Sequence, residues 1–175
     1  MVSSIPPDFF RWVAGDLTGN RLRGLYAEWM LTSQLGLTAD SPTRVEWDMV
    51  DIRYRGLNIE VKTSGNRQQW SSEEKPARFS IAPQSRSWNA TLNQSRRLSP
   101  PKRIADVYVF CLHHCDSLST STVVDESNWT FMVVLTSRLD ATLGPQRTIS
   151  ASSLSPLGHW VPLSSACDEI RRLAN

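Results

Sequence analysis

The sequence of 175 residues lacks the marks of several common protein classes. It contains no glycine-rich phosphate loop, no internal repeat, no helix-turn-helix pattern and no zinc-finger spacing of cysteine and histidine. No run approaches the roughly 18 apolar residues that a membrane span needs, and the first eight residues contain no apolar signal region. We therefore expect no membrane association.

Cysteine is scarce, with Cys111, Cys115 and Cys167 as its only examples. An odd number of cysteines without a signal region favours a reducing environment, so we expect a cytoplasmic protein. The segment Cys111-Leu-His-His-Cys115 places four potential zinc ligands within five residues, which is poor geometry for a tetrahedral site. We interpret it as the end of a buried strand.

The composition is that of an ordinary globular protein, with 40% hydrophobic and 21% charged residues. The length predicts one domain over residues 1–175, with residues 1–8 as a loose lead-in. The net charge of +2 permits nucleic-acid binding without requiring it. Five cations nevertheless fall in one stretch with few acids and form a candidate phosphate-binding patch, with a solvated loop as the alternative: Arg86, Arg96, Arg97, Lys102 and Arg103.

The order of predicted elements is helix, hairpin, further strands and a closing helix, which indicates an α/β fold with a mixed sheet flanked by helices. The apolar run 105–113 predicts a strand buried on both faces, and 129–135 predicts another. The remaining predictions are docking of the apolar segment 9–13 on the domain, a strand at 78–82, an irregular basic segment at 83–103 with a short helix at 89–98, a helical turn at 139–143, and a helix at 164–173.

The first long helix is predicted to run from an Asn20 cap to about Leu35, with Gly36 ending it. Glu28 lies on its apolar face together with Leu25, Leu31, Thr32 and Leu35. An unpaired buried charge is costly, so this glutamate needs a partner. It either reaches solvent at the edge of that face or points at a functional site.

Residues 46–64 are predicted to form a hairpin in which Glu60 and Lys62 share one face, because they are two residues apart. A three-residue loop, 54–56, with Gly56 in the left-handed region would place Asp48 diagonally opposite Glu60 on that face. The same register turns Asp51 to the other face. This favours Asp48 as the partner of Glu60 and keeps Asp51 as the alternative.

Two or three carboxylates on one face suit a divalent cation that prefers oxygen ligands, Mg²⁺ or else Mn²⁺. Asp48 and Glu60 are the predicted ligands, and Glu28 is a further ligand or an outer carboxylate. This arrangement predicts a metal-dependent nuclease, which hydrolyses a phosphodiester. In that reaction Lys62 would position the attacking water or stabilise charge on phosphorus. The alternative is an Asp–Lys pair on a solvent-facing sheet, which contributes little.

Three segments together resemble the PD-(D/E)XK nuclease superfamily: Gly24-Leu-Tyr-Ala-Glu28-Trp, Glu46-Trp-Asp48-Met-Val and Ile59-Glu-Val-Lys-Thr-Ser64. The resemblance covers roughly residues 21–70 and includes a bacterial branch of the superfamily. It implies a restriction endonuclease-like α-β-β-β-α-β core, Mg²⁺ and a DNA-cleaving activity. By position, the resemblance makes Asp48 the motif aspartate, Glu60 and Lys62 the E-x-K pair, and Glu28 the glutamate of the first helix. Gln68 matches more weakly a glutamine that follows the lysine. Tryptophan stands where the motif usually has proline.

The resemblance implies DNA as the partner, while a homodimer and a separate target-recognition subunit are both open. An RNA-directed nuclease and an inactive binding module of the same fold are the alternatives to a DNA endonuclease. The sequence does not determine the target site or the biological pathway.

Overall fold

The structure is a computed structural model, and it describes residues 6–38, 44–46, 48–71 and 73–175. The helices are α1 (Pro7–Ala14), α2 (Asn20–Gln34), α3 (Thr120–Val124), α4 (Thr136–Leu143) and α5 (Leu163–Leu173). The strands are β1 (Ile52–Tyr54), β2 (Leu57–Gly65), β3 (Arg78–Ser80), β4 (Gln84–Asn89), β5 (Gln94–Lys102), β6 (Val107–His113), β7 (Trp129–Leu135) and β8 (Thr148–Ser150). Two short 3₁₀ segments cover Glu126–Asn128 and Ser152–Leu157.

Four strands form a mixed central sheet in the order β1-β2-β6-β7. The β1–β2 and β6–β7 pairs are antiparallel, whereas β2 and β6 run parallel. Every residue of β6 is buried, as expected for an apolar strand in the centre of a sheet covered on both faces. The mixed α/β sheet flanked by helices is therefore confirmed.

A hydrophobic core lies on each face of this sheet. One contains Leu31 of α2, Ile59 of β2 and Ile170 of α5. The other contains Phe110 of β6, Leu139 of α4 and side chains from β3, β8 and the second 3₁₀ segment. Residues of β6 alternate between the two cores, so this strand joins them.

The segment predicted as an irregular region with a short helix is instead a two-stranded antiparallel ribbon of β4 and β5. The helix prediction for residues 89–98 is wrong because a turn interrupts it, with Asn93 at a φ of 52°. Asparagine tolerates this left-handed conformation, which reverses the chain and lets β5 pair with β4. The ribbon lies between β3 and β6 in the chain.

The start of the described chain also differs from expectation. Residues 7 and 8 belong to α1 rather than to a loose lead-in, and proline suits the first position of a helix. No residue of this helix is buried, and Trp12 is 84% exposed, so the prediction that residues 9–13 dock on the domain is wrong. Residues 1–5 lie outside the described part of the chain.

The described helices include none with the length and apolar character needed to cross a bilayer.

Candidate active site

The β1–β2 turn determines which aspartate lies opposite Glu60. Tyr54 pairs with Leu57, so the loop consists of two residues, Arg55 and Gly56. Their φ angles of 48° and 85° are both positive, as a tight hairpin turn of this length requires. The predicted three-residue loop is wrong, and the observed register is shifted by one residue.

The shifted register brings Asp51 to the position beside Glu60. Ile52 pairs with Ile59, and the carboxylate Oδ2 of Asp51 accepts a hydrogen bond of 2.7 Å from the backbone N–H of Val61. Asp51 thus caps the edge of β2 at the point where β1 stops pairing with it. The prediction that Asp48 lies diagonally opposite Glu60 in the hairpin is wrong for the same reason.

Glu28 faces this point from α2 and is 9% exposed. Its Oε1 accepts a hydrogen bond of 2.7 Å from Nε of Arg44. Nη2 of Arg44 also lies 3.9 Å from Oδ1 of Asp51, so one guanidinium bridges two carboxylates from separate elements. The inward position predicted for Glu28 is confirmed, and its partner is an arginine 16 residues further along the chain.

Glu60 is 8% exposed, and its Oε1 lies 2.5 Å from Nζ of Lys62. The side chain of Lys62 is 26% exposed, so the amine faces solvent more than its partner does. The sequence prediction that these two residues share a face of β2 is confirmed by this contact.

We call Glu28, Asp51 and Glu60 the acidic cluster. Burial raises the pKa of Glu28 above its ordinary value, and the charges of Asp51 and Glu60 add to this. Burial likewise raises the pKa of Glu60, and Asp51 again contributes. Burial is the largest cause for both residues, and the neighbouring cations, Arg44 and Lys62, which lower these pKa values, do not offset it fully.

An open cleft of about 420 Å³ lies against Glu28, Arg44 and Asp51, with Val61 and Thr63 of β2 at its base. Glu60 and Lys62 alternate with Val61 and Thr63 along β2, so they lie on the other face of the strand. The acidic cluster therefore has members on both faces of β2, at the edge where β1 stops pairing with it. Within the described ranges, no three acidic, histidine or cysteine side chains are already grouped closely enough to hold a metal ion.

Asp48 has a different set of contacts. Its Oδ1 accepts hydrogen bonds from the backbone N–H groups of Met49 and Ala90, and its Oδ2 is paired with Arg53. Although burial acts in the opposite direction, the hydrogen bonds from Arg53 and the two backbone amides lower the pKa of Asp48. Its oxygens are thus engaged in fixing local structure. Trp47, the tryptophan at the proline position of the motif, lies outside the described residues.

Gln68 lies in the turn after β2 and is not brought to the acidic cluster. Its amide donates to the carbonyl of Gly65 at 3.1 Å and accepts from Arg23 at 3.3 Å. Arg23 is 1% exposed and also donates to the carbonyl of Arg67. Gln68 lines a separate cleft, and the contacts that the structure shows for it stabilise this turn.

Two members of the site were missed or ranked second from the sequence. Arg44 has no periodic relation to Glu28, so no spacing pattern could have identified it. Asp51 ranked second only because a three-residue loop was assumed. The pair Arg55-Gly56 was the available signal, because a glycine-containing two-residue turn is a frequent hairpin connection.

Comparison with known proteins gives one family. The family model described as bacteriophage T4 endonuclease IV matches residues 16–126, well over half of the chain. The matched range contains α2, β1, β2 and β6, and with them the acidic cluster, Arg44 and Lys62. No curated protein and no solved structure matches the chain.

Proposed function

The chain belongs to the bacteriophage T4 endonuclease IV family, and from that premise we propose that it is a metal-dependent DNA endonuclease of the PD-(D/E)XK type. Membership supports a DNA endonuclease as the general class of activity. The observation that carries the finer proposal is the position of Asp51. Its carboxylate is bonded to the backbone N–H of Val61, the residue between Glu60 and Lys62.

In this proposal the motif aspartate is Asp51, the alternative that the sequence left open, and Asp48 is a structural residue. Glu60 and Lys62 form the E-x-K pair. Glu28 is the helix glutamate. The mixed sheet, with an antiparallel hairpin followed by a parallel neighbour, is compatible with a restriction endonuclease-like core.

The donors of the acidic cluster fit Mg²⁺ or Mn²⁺ in chemical type, because all of them are carboxylate oxygens. Two of the three carboxylates have raised pKa values, so additional positive charge at this point would be stabilising. Arg44 now occupies Oε1 of Glu28, and this contact must open if that oxygen is to become a ligand. Arg44 is 39% exposed along its side chain, which leaves room for this movement.

Asp51 and Glu60 would hold the cation, with Glu28 as a third or outer ligand. When bound, the cation neutralises charge on the scissile phosphodiester and makes the attacking water more acidic. Lys62 positions that water or stabilises the extra negative charge on phosphorus through its amine. The water oxygen forms the new bond to phosphorus and gives up a proton to solvent. The bond to the leaving oxygen breaks, and that oxygen takes up a proton from solvent.

The test is cleavage of plasmid and single-stranded DNA by purified protein with Mg²⁺ or Mn²⁺. We expect Glu60→Gln and Lys62→Gln each to reduce the cleavage rate by roughly 100-fold or more, because each removes a group that acts on the reacting centre. A parallel assay on RNA distinguishes the substrate.

The chain offers a matched control in Glu169 and Arg172, an ion pair of 2.5 Å on the exposed surface of α5. Glu169→Gln and Arg172→Gln should cleave DNA at the wild-type rate. Equal rates for the Glu60, Lys62 and control variants would contradict the proposal. Metal-independent DNA binding without any cleavage would instead favour an inactive binding module.

A further inference from the structure

We propose that the β4–β5 ribbon is a DNA-binding arm that contacts the phosphate backbone through Arg86 and Arg97 on its outward face, with Arg96, exposed on the other face, as a further phosphate contact. This inference rests on the proposed function for its substrate, and it identifies a binding surface outside the acidic cluster.

The ribbon lies in the most basic part of the chain. Residues 75–105 contain seven of the 19 lysines and arginines and none of the 17 aspartates and glutamates. The rest of the chain therefore carries more acids than cations, although the whole chain is slightly basic. This asymmetry creates a locally positive surface that attracts a polyanion.

The predicted patch of five cations divides in the structure. Arg103 is buried: it pairs with Asp140 and donates to the carbonyls of Ile81, Gly144 and Gln146, so its role is structural. The other four are exposed: Arg86, Arg96, Arg97 and Lys102. Within the described part of the chain, none of their charged groups has an acidic partner.

The two faces of the ribbon differ in chemistry. Arg86 pairs directly with Arg97, and Trp88, 38% exposed, pairs with Ser95 on the same face. The opposite face includes Ser87, which is buried, and its partner Arg96, which is exposed. Like charges directly across a strand pair are destabilising, so the Arg86–Arg97 pair costs stability that a bound phosphate would offset.

The ribbon is fixed to the segment that leads into the acidic cluster. The backbone N–H of Ala90 donates to Oδ1 of Asp48 at 3.1 Å, and the amide of Asn89 contacts Sδ of Met49 at 3.7 Å. Asp48 and Asp51 line the same cleft. A DNA strand on the outward face would therefore pass beside that cleft, and a two-stranded ribbon is narrow enough to follow a groove of duplex DNA.

The test measures binding of labelled DNA to the full chain by fluorescence anisotropy, in EDTA so that no cleavage occurs. Affinity is measured between about 50 and 200 mM salt for one duplex and one single strand. In the variant Arg86→Gln/Arg96→Gln/Arg97→Gln we expect roughly tenfold weaker binding or more. The slope of log affinity against log salt should fall by about 2 to 3, because fewer counterions are released.

Two further variants separate charge from structure. Arg86→Lys/Arg96→Lys/Arg97→Lys keeps the charge and should keep most of the slope. Arg55→Gln/Arg171→Gln/Arg172→Gln removes the same charge from the surface where Arg55 meets the end of α5, and it should bind like the wild type. Circular dichroism melting verifies that each variant is folded.

An unchanged salt slope in the triple glutamine variant would overturn the ribbon proposal, even if cleavage still depends on Glu60 and Lys62. An equal loss in the control variant would also overturn it, because the effect would then be general. A selective loss of slope combined with cleavage that survives Glu60→Gln would support the arm and refute the proposed active site.

Discussion

Carboxylates in two neighbouring parts of this fold have opposite environments. Asp48 receives two backbone N–H bonds and an arginine, and its pKa is lowered. Glu28 and Glu60 are buried near other carboxylates, and their pKa values are raised. A carboxylate satisfied by its surroundings stabilises the fold, whereas a buried and poorly compensated group is typical of a functional site.

This difference assigns separate roles to two aspartates three residues apart. Asp48 ties the β4–β5 ribbon to the segment before β1, while Asp51 completes the acidic cluster. Substitutions of these aspartates and of their arginine partners test that separation.

The largest expected effect is on cleavage. Asp51→Asn preserves an oxygen that can accept the bond from Val61 but removes the charge, so we expect a loss of DNA cleavage of about 100-fold or more. Asp48→Asn should lose far less, since its role is structural. Initial rates on plasmid DNA measure both, and a greater loss for Asp48→Asn would reverse the assignment.

A smaller effect is expected on metal affinity when Arg44 is replaced. Arg44 competes with a cation for Glu28 and Asp51, so Arg44→Gln should tighten Mn²⁺ binding by roughly fivefold, the equivalent of about 1 kcal/mol. Calorimetric titration without DNA measures it. Arg53→Gln, which removes the partner of Asp48 instead, is the matched control and should not change the affinity. Weaker binding by Arg44→Gln would show that Arg44 holds the ligands in place.

The smallest effect is on stability. Asp48→Asn should lower the free energy of unfolding at pH 7 by about 1 kcal/mol, because it loses a charge-assisted bond with Arg53. Because the pKa of Asp48 is lower in the folded than in the unfolded chain, its charge stabilises the fold at pH values above the unfolded-state pKa. This contribution is lost as pH falls through the folded-state pKa. The difference between wild type and variant should therefore shrink as pH falls below about 4. Urea unfolding at several pH values measures this, and a difference that grows in acid would contradict it.

The sequence was informative where apolar pattern alone decides structure. The apolar run of β7 predicted its limits, and the run of β6 predicted a strand buried on both faces. The inward position of Glu28 followed from helical spacing. In each case the deciding information is local, since burial of one face requires a repeat of fixed period.

The sequence was less informative where a turn or a distant partner decides. The β1–β2 loop has two residues rather than the predicted three, and this places Asp51 instead of Asp48 beside Glu60, because the register of a hairpin depends on its turn. The β4–β5 ribbon contains few apolar residues, so no alternation indicated its strands. The ion pair between Arg44 and Glu28 joins residues 16 apart in the chain, so no local spacing predicts it.

The most direct test of the account is Mn²⁺ titration of the full chain by calorimetry or electron paramagnetic resonance, without DNA, comparing wild type with Asp51→Asn and Asp48→Asn. We expect the wild type to bind Mn²⁺, Asp51→Asn to lose at least about tenfold in affinity, and Asp48→Asn to bind like the wild type. Equal affinity in wild type and Asp51→Asn, or a loss confined to Asp48→Asn, would contradict the acidic cluster as the metal site.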